Sequence, residues 1–252
     1  MKTELVKTGV IFFFSAILLS CGNSDRKISV SEDFFLLPHF LQPQTNHYQA
    51  FRASEKLGEM TITTFGGRDS VTVETLTTIQ GMNIRQKVST TLSSETLMPI
   101  SHTVSGSIGD IPLDVRLKWQ GQRVSGFSSF PRNSQIEGDR EINYILPPGT
   151  LERASVFALV KTFPLDSCRN FSFYWYNTLE NNVKEVSVIV SDSALVSTPA
   201  GTFPSYRVEI SGDEPALVMY VSKQPLREVV RIEVVGLPWA FDLIEVAGKE
   251  PE

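Results

Sequence analysis

Leu113-Asp114-Val115-Arg116-Leu117-Lys118-Trp119 alternates apolar and charged residues without a break, and Gly121 follows two residues later. Successive side chains of an extended chain point to opposite faces, so this stretch is a strand with one buried and one wet face. A sheet wetted on one side is antiparallel, because parallel sheets are covered on both faces. The alternation recurs at Val186, Val188 and Val190, at Tyr206, Val208 and Ile210, and at Val230, Ile232 and Val234. Weaker runs lie at Met60–Phe65, Val71–Leu76, Ile84–Leu92, Met98–Val104 and Leu217–Val221. Gly66-Gly67, Gly81, Gly106, Gly109-Asp110, Gly121 and Gly212-Asp213 stand between them as turn signals. Strands at this spacing predict an all-β antiparallel meander that forms a strongly curved sheet or a barrel-like domain.

One short helix near residues 150–162 interrupts the series. Pro147-Pro148-Gly149 leads to Thr150 as N-cap, Glu152 falls in the first turn, and Leu151, Ala154, Phe157, Ala158 and Lys161 have helical spacing. Pro164 ends it. Pro199-Ala200-Gly201 reads as a tight hairpin loop, with proline presetting φ and glycine supplying the left-handed residue. Phe171, Phe173 and Trp175 share one strand face while Tyr174 and Tyr176 share the other, so both faces are at least partly covered. Two readings follow for Phe171, Phe173 and Trp175: core packing, or the aromatic wall of an apolar pocket in a curved sheet.

The N-terminus carries an address. Lys2 and Lys7 precede an apolar run, Val10–Phe14 and Ala16–Leu19. That run of about a dozen residues falls short of the roughly 20 a membrane-spanning helix needs. Its flanks fit an exported chain's signal peptide. Leu18-Leu19-Ser20-Cys21-Gly22 resembles the lipobox of bacterial lipoproteins, with a small residue before the cysteine that receives lipid. The alternatives are an ordinary signal peptide and an uncleaved anchor. The resemblance implies removal of residues 1–20, lipid attachment at Cys21, and a domain held on the membrane of the cell envelope by several acyl chains, since one chain alone holds only marginally. Gly22, where an Asp tends to retain lipoproteins in the inner membrane, favours the outer membrane and a periplasmic face. Residues 21–30 are then a polar linker and 31–47 an apolar pre-domain segment containing Phe34-Phe35-Leu36-Leu37-Pro38-His39-Phe40-Leu41. That segment packs across one end of the sheet or acts as a lid. A single β domain over 48–246 and a polar tail over 247–252 complete the chain.

Composition excludes several classes. The formal net charge is −5, and the leader with two lysines and one glutamate makes the remainder slightly more acidic without it. No Lys/Arg block is present, which argues against nucleic acid and against electrostatic binding to anionic lipid. Lipidation of Cys21 leaves Cys168 without an intrachain partner. A lone thiol in an exported chain is either reactive or, more commonly, a small buried apolar residue.

No constellation for chemistry stands out. His39, His47 and His102 have no spacing that converges on a metal, and each reads as solvated or singly hydrogen-bonded. Gly106-Ser107-Ile108-Gly109 lacks the spacing of a nucleophile elbow. No phosphate-cradling or dinucleotide glycine motif occurs. Glu137, Asp139 and Glu141 read as a solvated loop, and Asn170-Phe171-Ser172 is a sequon with no role in a bacterial chain. The expectation is a non-enzyme without cofactor or metal.

Val196-Ser197-Thr198-Pro199-Ala200-Gly201-Thr202-Phe203, followed by Tyr206-Arg207-Val208, resembles the signature hairpin of the bacterial envelope family DUF3108. Thr96-Leu97-Met98-Pro99, Gly121–Gly126, Val221-Ser222-Lys223 and Pro225–Val229 are similar to its other marks. The likeness covers about Tyr48 to Leu243 and rests on turns and strands. It implies a curved antiparallel sheet, akin to lipoprotein-localisation carriers that hold acyl chains in a half-barrel. The expected function is binding of a hydrophobic ligand or envelope component by a membrane-tethered domain. The alternative is a structural or interaction module that pairs exposed strand edges with an envelope protein.

Overall fold

The structure is a computed structural model, and it describes residues 35–53, 55–129 and 140–248. Cys21, Phe34, Glu137 and Asp139 lie outside the described residues. The first half of the chain forms β1 (Gln44–Arg52), β2 (Glu55–Gly66), β3 (Ser70–Ile79), β4 (Ile84–Ser93), β5 (Pro99–Ile108), β6 (Ile111–Gln120), β7 (Arg123–Ser128) and β8 (Arg140–Ile145). The second half forms β9 (Leu151–Glu152), β10 (Asn170–Asn177), β11 (Asn182–Thr198), β12 (Gly201–Ser211), β13 (Leu217–Ser222), β14 (Val229–Val234) and β15 (Trp239–Ala247).

All fifteen strands belong to one sheet, in the order β8-β7-β6-β5-β4-β3-β2-β1-β15-β14-β13-β12-β11-β10-β9. Each half is therefore a meander. The two halves join in the middle, where β1 pairs antiparallel with β15 from Thr45 opposite Ala247 to Arg52 opposite Trp239. Among the described residues, only the two-residue β9 runs parallel to its neighbour, β10. A sheet this wide with one apolar face does not stay open, and it curls until that face covers itself. Its concave side holds two packed regions. The larger contains Met60, Val73, Val188, Val208, Met219, Ile232 and Leu243. The smaller lies on β4–β8, with Val104, Leu117, Trp119 and Val124 packed against Tyr176 of β10.

Glycines inside strands make the bend. Gly106 was expected to mark a turn, but it lies within β5 at φ +123°, and a Cβ there would sit 2.0 Å from the Arg85 carbonyl oxygen of β4. Gly126 in β7, at φ +146°, would meet the Arg116 carbonyl oxygen of β6 at the same distance. Neighbouring backbones come together where only a residue without a side chain fits, and the sheet folds there.

The expected helix near 150–162 is shorter and starts later. Leu151 and Glu152 are strand, a 3-10 turn spans Arg153–Ser155, one α-helical turn, α1, spans Val156–Leu159, and a second 3-10 turn spans Val160–Thr162. Thr150 is not the N-cap: its hydroxyl donates to the Pro147 carbonyl at 2.7 Å. Glu152 caps instead, its carboxylate accepting from the Ser155 backbone N–H at 2.9 Å. Val156, Leu159, Val160, Phe163 and Leu165 are fully buried, so this segment fills the concave side. Its last carbonyls are satisfied by buried Arg227, which donates to Lys161 O at 3.1 Å and Phe163 O at 2.7 Å and also pairs with Asp166.

The apolar segment before the sheet packs across this plug. Leu37 N–H donates to Thr162 O at 2.8 Å, Leu41 is buried, and the Arg227 guanidinium lies 4.0 Å from the Phe40 ring centroid. Strand structure begins at Gln44, four residues before the expected boundary. Gln44 and Asn46 are polar yet buried, donating to the Glu228 carboxylate at 2.6 and 3.0 Å, and this polarity hides the strand's start from the apolar pattern.

The close approach at Gly106 predicts a graded response to alanine. Gly106→Ala should cost at least about 2 kcal/mol, from overpacking added to backbone strain. Gly121→Ala, at φ +61° with open space around its Cβ position, should cost only about 1–2 kcal/mol. Urea unfolding of the two variants measures the difference.

Candidate functional site

Period-two geometry puts Thr90 in phase with Val88 and Leu92 on β4, and His102 in phase with Val104 on β5. The β4–β5 register sets Thr90 directly opposite His102. Both therefore point to the concave side, among apolar neighbours. The far edge of the sheet then brings β9 over them. Glu152 Oε2 lies 3.5 Å from His102 Nδ1, and the Thr90 hydroxyl lies 2.9 Å from Nδ1 and 3.4 Å from Oε2. The carboxylate also accepts from the Ser155 N–H and, through Oε1, from the Thr178 hydroxyl at 3.3 Å. His102 and Glu152 are each only 1% exposed.

The proton on the imidazole follows from these partners. The Thr90 hydroxyl donates its one hydrogen to Glu152 Oε2, so it accepts at its 2.9 Å contact with Nδ1; Nδ1 then carries the hydrogen, and Nε2 is left as an acceptor. Nε2 is buried and has no hydrogen-bond partner among the described residues. Burial holds the His102 pKa below its ordinary value, against the smaller opposing pull of Glu152. The ring is thus neutral at neutral pH.

These groups form the polar part of a cleft of about 200 Å³ on the concave side. Its apolar walls come from both halves of the chain, with Met60, Val88 and Val104 facing Phe157, Ile232 and Phe241. Thr75, Thr77, Gln86, Asn177, Thr178 and Arg153 add to the polar lining. Arg153 is engaged: its Nε lies 3.6 Å from Asp213 Oδ2, its NH2 group donates to Pro215 O at 3.2 Å, and its guanidinium covers the Trp175 ring at 5.1 Å. Among the described residues, no three His, Cys, Asp or Glu side chains converge in a way that would hold a metal ion.

The residues singled out from sequence lie elsewhere. Phe171, Phe173 and Trp175 do not line the cleft. They are core, because Phe163 from the helical segment sits edge-on to Phe171 and Phe173 at centroid distances of 5.6 and 5.5 Å. Trp175 Nε1 donates to buried Asp213 at 3.0 Å, which ties β10 to the loop after β12. Pro199 and Ala200 form the two-residue turn between β11 and β12, and Gly201 takes φ +137°. Thr202 Oγ1 lies 3.1 Å from Ser197 Oγ, and Phe203 packs on the larger core. Cys168 is half-buried, its thiol donating to Asn170 O at 3.5 Å. His39 is exposed, and His47 Nδ1 is 3.4 Å from the Thr61 hydroxyl. His102, read as solvated or singly hydrogen-bonded, makes one hydrogen bond, to Thr90, and is buried at the cleft's polar end. Its parity with Val104 was the available signal.

A single antiparallel sheet curled around a plugged interior is a barrel-like domain. A solved structure of the same kind is the β-barrel-like protein of domain of unknown function DUF1849 from Brucella abortus, with a TM-score of 0.53 and 9% identity over 82% of this chain and 98% of that one. At that identity the likeness concerns the fold. Residues 45–236 match the family described as Protein of unknown function (DUF3108), and the chain belongs to that family. No curated protein matches the chain significantly.

The depressed pKa of His102 gives stability a pH dependence of definite sign. The unfolded histidine titrates near about 6.5, so below that pH the unfolded chain binds a proton that the fold refuses. The contribution is fully present above about pH 6.5 and is lost as pH falls through the lower folded value. Urea unfolding between about pH 7.5 and 5 should show stability falling, and the difference between the parent and His102→Gln should narrow with acidification.

Proposed function

We propose that the chain is a lipid-anchored protein of the bacterial cell envelope whose β domain binds a small hydrophobic molecule without transforming it. The observation that carries the binding part is the cleft: apolar walls from both halves of the sheet converge on a few buried polar groups, the composition of a ligand site. Its size sets the guest. About 200 Å³ is below the roughly 300–1,000 Å³ of sites for drug-sized molecules. A ring or a short alkyl chain fits, whereas a whole diacyl lipid does not, because the interior where a carrier would hold acyl chains is filled by residues 156–165. The anchoring part rests on Leu18-Leu19-Ser20-Cys21-Gly22 and the short polar linker after it, which keeps the domain close to the membrane surface. No polybasic patch is needed when acyl chains supply the attachment.

Each part has its own experiment. Growth with a tagged fatty acid should label the parent and leave Cys21→Ser unlabelled; labelling that persists in Cys21→Ser removes the anchor. For the cleft, native mass spectrometry of the chain taken from its producing cells should show a small apolar adduct. Thr77→Trp, at a half-buried lining position, should lose it. A parent chain that carries no adduct and shows no toluene-induced shift of its Met60 methyl signal removes the binding reading.

A further inference from the structure

The buried groups at the polar end of the cleft also define what a guest must present. We infer that the cleft takes a small uncharged molecule with an apolar body and one hydroxyl or N–H group, which donates a hydrogen bond to Nε2 of His102. This rests on the reading of the cleft as a binding site and goes further by fixing the chemistry of the guest's head.

Three observations converge on it. First, Nδ1 is committed, facing the Thr90 hydroxyl at 2.9 Å and the Glu152 carboxylate at 3.5 Å. Nε2 is then a lone pair on a residue that lines the cleft, buried and without a partner among the described residues. Second, the neighbouring charged groups are already matched. Glu152 accepts from Ser155, Thr178 and Thr90, and the Arg153 charge is paired with Asp213 at 3.6 Å and donates to the Pro215 carbonyl, although its Nε makes no hydrogen bond among the described residues. The His102 end therefore presents an acceptor, and the charges beside it are paired within the protein. An anionic head would find Glu152 close by and no donor at Nε2. A cationic head would leave water for apolar walls with both nearby carboxylates engaged. Third, Met60, Val88, Val104, Phe157, Ile232 and Phe241 surround the remaining volume, which suits a hydrocarbon body.

The arrangement also differs from a metal site. A metal-bound histidine commonly donates its second N–H to a carboxylate, and His102 Nδ1 has Glu152 3.5 Å away, but at least two further ligands would have to converge on Nε2. None do among the described residues. A guest hydroxyl or amide N–H is the chemistry that matches one neutral imidazole acceptor at the end of an apolar cleft.

Three probes of one shape test this on the full chain: toluene, para-cresol and para-toluate. Binding is followed by the Met60 methyl signal and by the ring-nitrogen NMR signals of His102, identified by their loss in His102→Gln. Para-cresol should bind roughly three- to tenfold more tightly than toluene, the worth of one net hydrogen bond. The Nε2 resonance should move with para-cresol and stay still with toluene, and para-toluate should bind most weakly. His102→Leu should equalise toluene and para-cresol; if that variant does not fold, the comparison within the parent chain decides alone. Equal affinities with an unmoved Nε2 signal overturn the inference while leaving the apolar cleft as a site. Tighter binding of para-toluate overturns the acceptor assignment. Failure of all three to bind overturns the cleft reading and the inference together.

Discussion

The carboxylate of Glu152 ties one end of the sheet to strands of the first meander. Among the described residues, β8 and β9 are the sheet's outer strands, and no backbone ladder closes it between them. Closure falls to side chains instead. Glu152 on β9 accepts from Thr90 on β4 and lies beside His102 on β5, while its other bonds hold the start of the helical segment and Thr178 after β10. Tyr176 adds an apolar contact, edge-on to Trp119 of β6 at 6.2 Å. A buried carboxylate is stable only when donors surround it, and a network of this kind is worth more than its separate bonds. The group that closes the sheet therefore also orients the imidazole in the cleft.

The rest of the concave side is solid. Phe163 covers Phe171 and Phe173, and Val156, Leu159, Val160 and Leu165 are fully buried with it. Burying each such side chain contributes about 1.5–3 kcal/mol, enough to outweigh local strain elsewhere. Leu97 shows the balance: it holds φ +57°, costly for a branched residue, and is 1% exposed in the larger core. The left-handed conformation costs about 1–2 kcal/mol, comparable to or less than what its burial returns. Curvature from glycines and filling from the helical segment together leave a small cleft where the two halves face each other.

Alternation made the strands legible. Leu113 to Trp119, Tyr206 to Ile210 and Val230 to Val234 each carry the period-two signal of a half-buried strand, and each is a strand. The signal failed where a strand's inward residues are polar, as at Gln44 and Asn46, and where a strand glycine imitates a turn, as at Gly106. Aromatic residues pointed away from the cleft for a related reason. Phe171, Phe173 and Trp175 are conspicuous because the core needs volume, and nothing local reveals that Phe163 fills the space above them. The cleft was hidden more deeply still. His102 and Glu152 are separated by most of the first meander's end and the start of the second, and they meet only because the sheet curls. Parity with Val104 marks His102 as inward, but its partner is set by topology.

The pairing of β1 with β15 has a consequence in time. β1 to β8 are joined by contacts between chain neighbours, and so are β10 to β15, so each meander can form as its own strands are made. β1, however, keeps one unpaired edge until β15 arrives, and the ladder that unites the halves is the contact most distant in sequence. During synthesis the first meander is thus an incomplete sheet with a raw edge, the form most prone to pairing with another chain. The polar, buried Gln44 and Asn46 lie on that strand, and Asn46 comes to face Val246 once the ladder forms. Their polarity weakens apolar collapse of β1 onto the wrong partner, and the waiting edge makes the arrival of the last strand the step that commits the molecule to its fold.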